Sequence, residues 1–196
     1  AGFSAKKAHY PSLAMSSSNE PYVAFKDWGN SGKATVMKFN DSSWVTVGTA
    51  GFSAGQAYYT SLAISSSKEP YVAYTDDANS NKATVMKFDG TNWVTVGSAG
   101  FSAGDAYVIS LEMSSSNEPY VSYIDGSVRL QATVMKFDGT NWVTVGNPGF
   151  SAASNDVRWQ SLAMSSNNEP YVAYEVVSSS ISVMKFGGTT EISDIN

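Results

Sequence analysis

The chain has no cysteine, one histidine and two arginines, and only 15% of its residues are charged. Each shortage closes off a class of function. Without cysteine there is no disulfide framework, no thiolate nucleophile and no thiolate-held metal. His9 alone cannot build a histidine metal cluster. No apolar run approaches the roughly 18 residues of a membrane helix, and no signal-like stretch opens the chain, so membrane insertion is not expected. Basic residues number 12 against 17 acidic ones, giving a net charge of −5 with no basic run. Such a surface repels phosphate backbones and anionic lipids, so nucleic acid is not an expected partner.

Polarity comes instead from neutral groups, with 32 Ser, 13 Thr and 13 Asn among 196 residues. Hydrophobic residues at 42% and aromatics at 13% supply enough apolar surface for a core. The dominant feature is internal repetition, which governs the fold when present. Gly-Phe recurs at Gly2, Gly51, Gly100 and Gly149, and Val-Met-Lys-Phe at Val36, Val85, Val134 and Val183. Glu-Pro-Tyr-Val begins at Glu20, Glu69, Glu118 and Glu169. Residues 51–99 and 100–148 share 33 identities in 49 positions. The chain is one repeat domain, 1–196, of four copies at about 1–50, 51–99, 100–148 and 149–196.

Each copy reads as four short strands. In the second these are 61–65, 71–75, 83–88 and 93–96, the last pair joined by Asp89-Gly90-Thr91-Asn92, a hairpin signal. Four antiparallel strands repeated every 49 residues predict an all-β protein, a β-propeller of four blades. The hairpins Phe88–Trp93 and Phe137–Trp142 resemble the aspartate-box turns of sialidase-type propellers. The Ser-Leu-Ala, Pro-Tyr-Val-Ala-Tyr and Val-Met-Lys-Phe strands resemble repeats of large secreted bacterial propeller proteins, and the blade length is similar to that of propeller lectins of the tachylectin and fucose-binding types. The resemblance implies architecture, and a secreted or extracellular setting. Two closures follow. Four blades close on themselves, or they are half of a larger ring, eight-bladed for example, completed by a second chain as a homodimer or by a longer array. Glu191 stands where Trp44, Trp93 and Trp142 recur, which predicts a weak or missing outermost strand in the fourth copy.

The turns after the first and third strands share one face of a blade. The second-to-third loop and the inter-blade crossover share the other. That second face diverges between copies, and the two length changes of the fourth copy both fall on it. Binding residues concentrate in such loops. Its candidate ligand-binding residues are Tyr10, Asp27, Trp28, Tyr58, Tyr59, Asp76, Asp77, Asn79, Tyr107, Asp125, Arg129 and Trp159. Aromatic planes take the C–H face of a sugar while carboxylates, amides and cations fork onto hydroxyl pairs. The competing reading is that tyrosines pack under the crossover and the aspartates cap their own turns. On the first reading, Tyr58→Ala or Asp76→Ala weakens glycan binding with the fold intact.

The remaining motifs read as structure. Trp44, Trp93 and Trp142 pack between blades, each Gly-Phe phenylalanine plugs a crossover, and Met37, Met86, Met135 and Met184 fill the core. Lys38, Lys87, Lys136 and Lys185 read as a solvated outer face. Calcium at the Asp76-Asp77 loop stays open, but the loop has no EF-hand spacing and too few converging oxygens to name a metal site, and no cofactor is expected. Two arginines fall short of the cluster that a sialidase-like hydrolase needs for a carboxylate. Near-identical blades also rarely hold an asymmetric acid–base pair. Repeated weak sites instead suit multivalent binding. The sequence thus points to a non-catalytic module whose partner is a glycan or a cell-surface protein, with a structural scaffold as the alternative and a glycoside hydrolase behind both.

Overall fold

A computed structural model describes residues 2–151, 157–176, 181–187 and 191–194. Among these residues sixteen strands form four antiparallel sheets of four, each in sequential order. The first sheet holds β1 (Ala8–Met15), β2 (Pro21–Asp27), β3 (Lys33–Phe39) and β4 (Trp44–Thr46). The second holds β5 (Ala57–Ile64), β6 (Pro70–Asp76), β7 (Lys82–Phe88) and β8 (Trp93–Thr95). The third holds β9 (Ala106–Met113), β10 (Pro119–Asp125), β11 (Gln131–Phe137) and β12 (Trp142–Thr144). The fourth holds β13 (Val157–Met164), β14 (Pro170–Val176), β15 (Ile181–Gly187) and β16 (Glu191–Asp194). The sheets are the four blades of the repeat.

The fourth outer strand is present, contrary to expectation. β16 pairs with β15 so that Ile192 lies opposite Phe186, as Trp44 lies opposite Phe39. Glu191 lies one step further out, opposite Gly187. A one-residue shift in register sets Ile192, and not Glu191, at the strand position that Trp44 holds in blade 1.

Blades pack face to face through apolar side chains, with the innermost strands β1, β5, β9 and β13 side by side. Between blades 1 and 2 the core joins Tyr22, Ala24, Val36 and Val47 to Leu62, Val72 and Tyr74. Equivalent residues fill the next two junctions. Met135 and Met184 are buried as expected of core fillers. Each junction also repeats one hydrogen-bond set. The Leu62, Leu111 and Leu162 amides donate to Ser12, Ser61 and Ser110 Oγ of the preceding blade at 3.0, 3.0 and 3.1 Å. The Phe52, Phe101 and Phe150 amides donate to the Ala34, Ala83 and Ala132 carbonyls. Each phenylalanine of the first two crossovers then stacks on a tryptophan, Phe52 on Trp93 at 4.0 Å and Phe101 on Trp142 at 4.1 Å. The indole N–H of Trp93 reaches the Val47 carbonyl of blade 1 at 2.9 Å, and that of Trp142 reaches Val96 of blade 2 at 2.8 Å.

Among the described residues the arc is open: blades 1 and 4 make no such junction. Leu13 of blade 1 is 66% exposed, while its equivalents Leu62, Leu111 and Leu162 are 5%, 2% and 3% exposed. The expectation that four blades close on themselves is therefore corrected. The packing shows the open ends: among the described residues the inner strands meet as β1–β5, β5–β9 and β9–β13, and Leu13 and Ile181 on the two end blades stay exposed.

One ionisable residue faces a junction where the other blades carry alanine. Glu112 on β9 stands where blades 1, 2 and 4 have Ala14, Ala63 and Ala163, and burial pushes its carboxyl above the ordinary carboxylate range. A carboxyl whose folded pKa is raised opposes folding once pH climbs past the unfolded value of about 4.3. Glu112→Ala is accordingly expected to raise Tm at pH 7. The gain should fade as pH falls through the folded pKa and vanish near the unfolded one, which thermal melts across pH would show.

Candidate functional site

On the crossover face, β2, β6 and β10 each end in an aspartate that opens a short 3-10 helix, Trp28–Asn30, Asp77–Asn79 or Gly126–Val128. Asp27, Asp76 and Asp125 are 6%, 1% and 2% exposed. Their carboxylates accept from the backbone amides of Gly29, Ala78 and Ser127 at 2.8, 3.1 and 2.9 Å. They also accept from Thr35, Thr84 and Thr133 Oγ1 at 3.1, 2.9 and 3.1 Å. Asn30 and Asn79 add side-chain N–H bonds at 2.8 Å each. The same threonine oxygens receive the amides of Gly51, Gly100 and Gly149 from the following crossover at 2.9, 2.9 and 3.0 Å. Aspartate, threonine and glycine thus form a relay tying each loop to the next blade. Of the two readings of these aspartates, the geometry favours the turn cap, because the carboxylates are enclosed and engaged inside the protein.

Blade 4 has no such aspartate. Glu175 pairs with Ile181 as Lys26 pairs with Ala34, so Glu175 stands at the lysine's place and Val176 at the carboxylate's. The changed loop lengths of this copy, at 152–156 and 177–180, lie outside the described residues.

The structure brings Trp28 and Tyr58 onto a residue the sequence reading passed over, Lys26, and Tyr58 leads on to Tyr10 and through it to Tyr59. The lysine ammonium lies 3.4 Å from the Tyr58 ring centroid, 4.9 Å from that of Trp28, and donates to Gln56 Oε1 at 2.8 Å. His9 meets Trp28 edge-on at 6.2 Å, and Tyr10 lies 4.9 Å from Tyr59. Burial pulls the Lys26 ammonium below its ordinary value, opposed by the Asp77 carboxylate. Burial and then the Tyr10 hydroxyl push Tyr59 up. The signal available in sequence was a lysine inside a strand whose equivalents are Thr75, Ile124 and Glu175.

The backbone carries tension at the same place. Each inner strand bulges, and Tyr10, Tyr59 and Val108 take φ of 52°, 49° and 48°. Left-handed geometry at non-glycine residues costs about 1–3 kcal/mol each and is held only by surrounding contacts. Thr60 Oγ1 donates to the Tyr10 carbonyl, and Gln160 Nε2 to that of Val108. Of the other expected site residues, Tyr107 donates to Asp105 at 2.8 Å, which raises its hydroxyl pKa. Asn79 is spent on Asp76, Asp77 and Arg129 are exposed, and Trp159 stands out at 61% exposure on β13.

The opposite face holds a cleft built twice. The first, about 490 Å³, lies between blades 1 and 2 and is lined by Tyr22, Lys38, Thr46, Glu69, Phe88 and Asp89 among others. The second, about 440 Å³, lies between blades 2 and 3 with the equivalent Tyr71, Lys87, Thr95, Glu118, Phe137 and Asp138. The lysines are not a simple solvated face. Lys38, Lys87, Lys136 and Lys185 pair with Glu20, Glu69, Glu118 and Glu169 at 3.3, 3.1, 3.3 and 2.9 Å, about two-thirds buried. The hydrogen bond to Glu69, against a burial cost, holds the Lys87 ammonium above its ordinary value. Each cleft therefore sees an ammonium from one blade and a carboxylate from the next. Asp89 and Asp138 at the rim accept two turn amides each, which depress their carboxyls. Among the described residues no three His, Asp or Glu side chains converge as metal ligands.

The blades and their crossovers define the β-propeller class. No family model and no curated protein matches the sequence. Solved structures of like fold include a six-bladed propeller lectin of Aleuria aurantia with fucose recognition, at a TM-score of 0.64 and 14% identity over 95% of this chain and 61% of that one. An α-L-arabinanase of Penicillium chrysogenum follows at 0.60 and 12% over 93% and 63%. A Dyadobacter fermentans protein of unknown function stands at 0.61 and 14% over 96% and 64%. The chain spans less than two-thirds of each, and at these identities the likeness is one of fold.

Proposed function

We propose that the chain is a non-catalytic carbohydrate-binding module that acts outside the cell. The observation that carries this reading is the cleft made twice from equivalent residues. An ammonium from one blade and a carboxylate from the next offer a donor and an acceptor to sugar hydroxyls, and the Tyr22 or Tyr71 and Phe88 or Phe137 rings offer apolar wall. The volumes fall within the roughly 300–1,000 Å³ of small-ligand sites. Two like sites on one rigid arc favour binding by avidity over catalysis, which needs unlike groups in unlike roles. Lectins and glycan hydrolases among the structures of like fold support the ligand class, and the Ser-, Thr- and Asn-rich, charge-poor composition supports an extracellular setting. The crossover cluster of Tyr10, Trp28, Tyr58 and Tyr59 is the second surface of the same reading.

The test is a glycan array on the folded chain, on Lys38→Met/Lys87→Met, and on Tyr58→Ala. Lys38 and Lys87 keep about a third of their side-chain surface in solvent, so the loss of each screened pair should cost about 1 kcal/mol, and a thermal melt checks that the double variant is folded. Selective binding that falls at least about tenfold (about 1.4 kcal/mol) in the lysine variant and persists in Tyr58→Ala is the expected result. The converse pattern moves the site to the crossover face. A blank from well-folded wild-type protein overturns the reading in favour of a protein-binding scaffold.

A further inference from the structure

We propose that a second copy of this chain docks head to tail on the first, the outer face of blade 4 against the outer face of blade 1. Both faces are built as junction faces, and neither meets another blade among the described residues. On blade 1, Leu13 and Met15 are 66% and 54% exposed, where Leu62, Leu111 and Leu162 are enclosed. On blade 4, Ile181 is 74% exposed, although the equivalent Ala34, Ala83 and Ala132 are fully buried. Ala173 and Val183 there are half-buried, while Ala24, Ala73, Val36, Val85 and Val134 are sealed.

The two ends also carry the hydrogen-bonding groups that every internal junction uses. Blade 1 brings Gly2, Phe3, Ser4 and Leu13, the equivalents of Gly51, Phe52, Ser53 and Leu62. Blade 4 brings Ser161, Ile181 and Ser182, the equivalents of Ser12, Ala34 and Thr35. Seated as the internal blades are, Leu13 N would donate to Ser161 Oγ, Phe3 N to the Ile181 carbonyl, Ile181 N to Ser4 Oγ, and Gly2 N to Ser182 Oγ. Phe3 already stacks on Trp44 at 4.3 Å, in the pose of Phe52 on Trp93. Charge agrees as well. Blade 4 carries Lys185 beside Tyr171 and paired with Glu169, and blade 1 carries Glu20 paired with Lys38, so the joint brings an ammonium towards a carboxylate as each internal cleft does. In terms of the carbohydrate reading, on which this one corollary rests, the joint builds a further cleft from two chains. Such a contact joins unlike faces, so it closes as a ring or runs on as a chain.

Sedimentation velocity of the chain, without any glycan, over a range from micromolar to sub-millimolar concentration tests the docking. Leu13→Asp and Ile181→Asp serve as variants, because both side chains are exposed in the single chain and a charge there leaves its core intact. The expected result is a mass of two or more copies for the wild type. Each variant should weaken association at least tenfold with an unchanged Tm at concentrations where the chain is single. A wild-type mass of one copy throughout overturns the proposal and leaves a further repeat from flanking sequence as the occupant. Association unchanged in both variants overturns it too. A blank glycan array bears on the carbohydrate reading and leaves this measurement untouched.

Discussion

Asp76→Ala is expected to destabilise the chain by about 3 kcal/mol, whatever it does to ligand binding. The carboxylate is buried and holds three donors: the Ala78 amide, the Asn79 side chain and Thr84 Oγ1. Hydrogen bonds to a charged acceptor contribute about 1.5–3 kcal/mol each, and the exposed loop donors recover part of that from water. Thr84 cannot recover it, being enclosed and already receiving the Gly100 amide. The loss therefore spreads from the loop to the junction with blade 3. Asp77→Ala, one residue on and exposed, is the control and should stay within about 0.5 kcal/mol of wild type. Urea unfolding of both variants decides the matter. Equal midpoints would mean that the relay does not support the fold.

Trp93→Ala is expected to cost about 3–5 kcal/mol, the range for deleting a large aromatic from a packed setting. Phe52 loses its stacking partner at 4.0 Å, Phe88 loses a ring at 5.7 Å, and the Val47 carbonyl loses the indole donor. Trp93→Phe should recover part of the packing and none of that hydrogen bond. Calorimetric melts of the three proteins would separate ring from donor. A Trp93→Ala variant that melts with wild type would show that the crossover does not clasp the outer strand.

Much of this was legible beforehand, and the failures have physical causes. The 49-residue spacing placed every strand of the second copy within a few residues of its observed span, because duplication repeats the period-two pattern and its turns together. The assignment of Asp27, Asp76 and Asp125 to a ligand could not be settled by residue type. An aspartate entering an Asn-rich loop serves equally as a sugar fork or a turn cap, and enclosure alone separates the two. The clefts were missed because divergent loops drew attention to the other face. Lys38 and Glu20, Lys87 and Glu69, and Lys136 and Glu118 each stand 18 residues apart. That recurrence of opposite charges was in plain view and meant pairing across adjacent strands. Closure was illegible for another reason. It depends on the angle between neighbouring blades, and no single residue encodes that angle.

The sameness of the junctions has a consequence for how such a gene can change. Leucine amide to serine hydroxyl and phenylalanine amide to alanine carbonyl recur at each internal joint, so a blade carries little record of its place in the series. Unequal recombination between copies would yield arcs one blade shorter or longer with their joints already correct. The same anonymity is a hazard on refolding, where a blade can settle against the wrong sibling at little cost in local contacts. Exceptions such as Gln160, whose side chain bonds the Val108 and Ser122 carbonyls of blade 3, set the third joint apart from the first two.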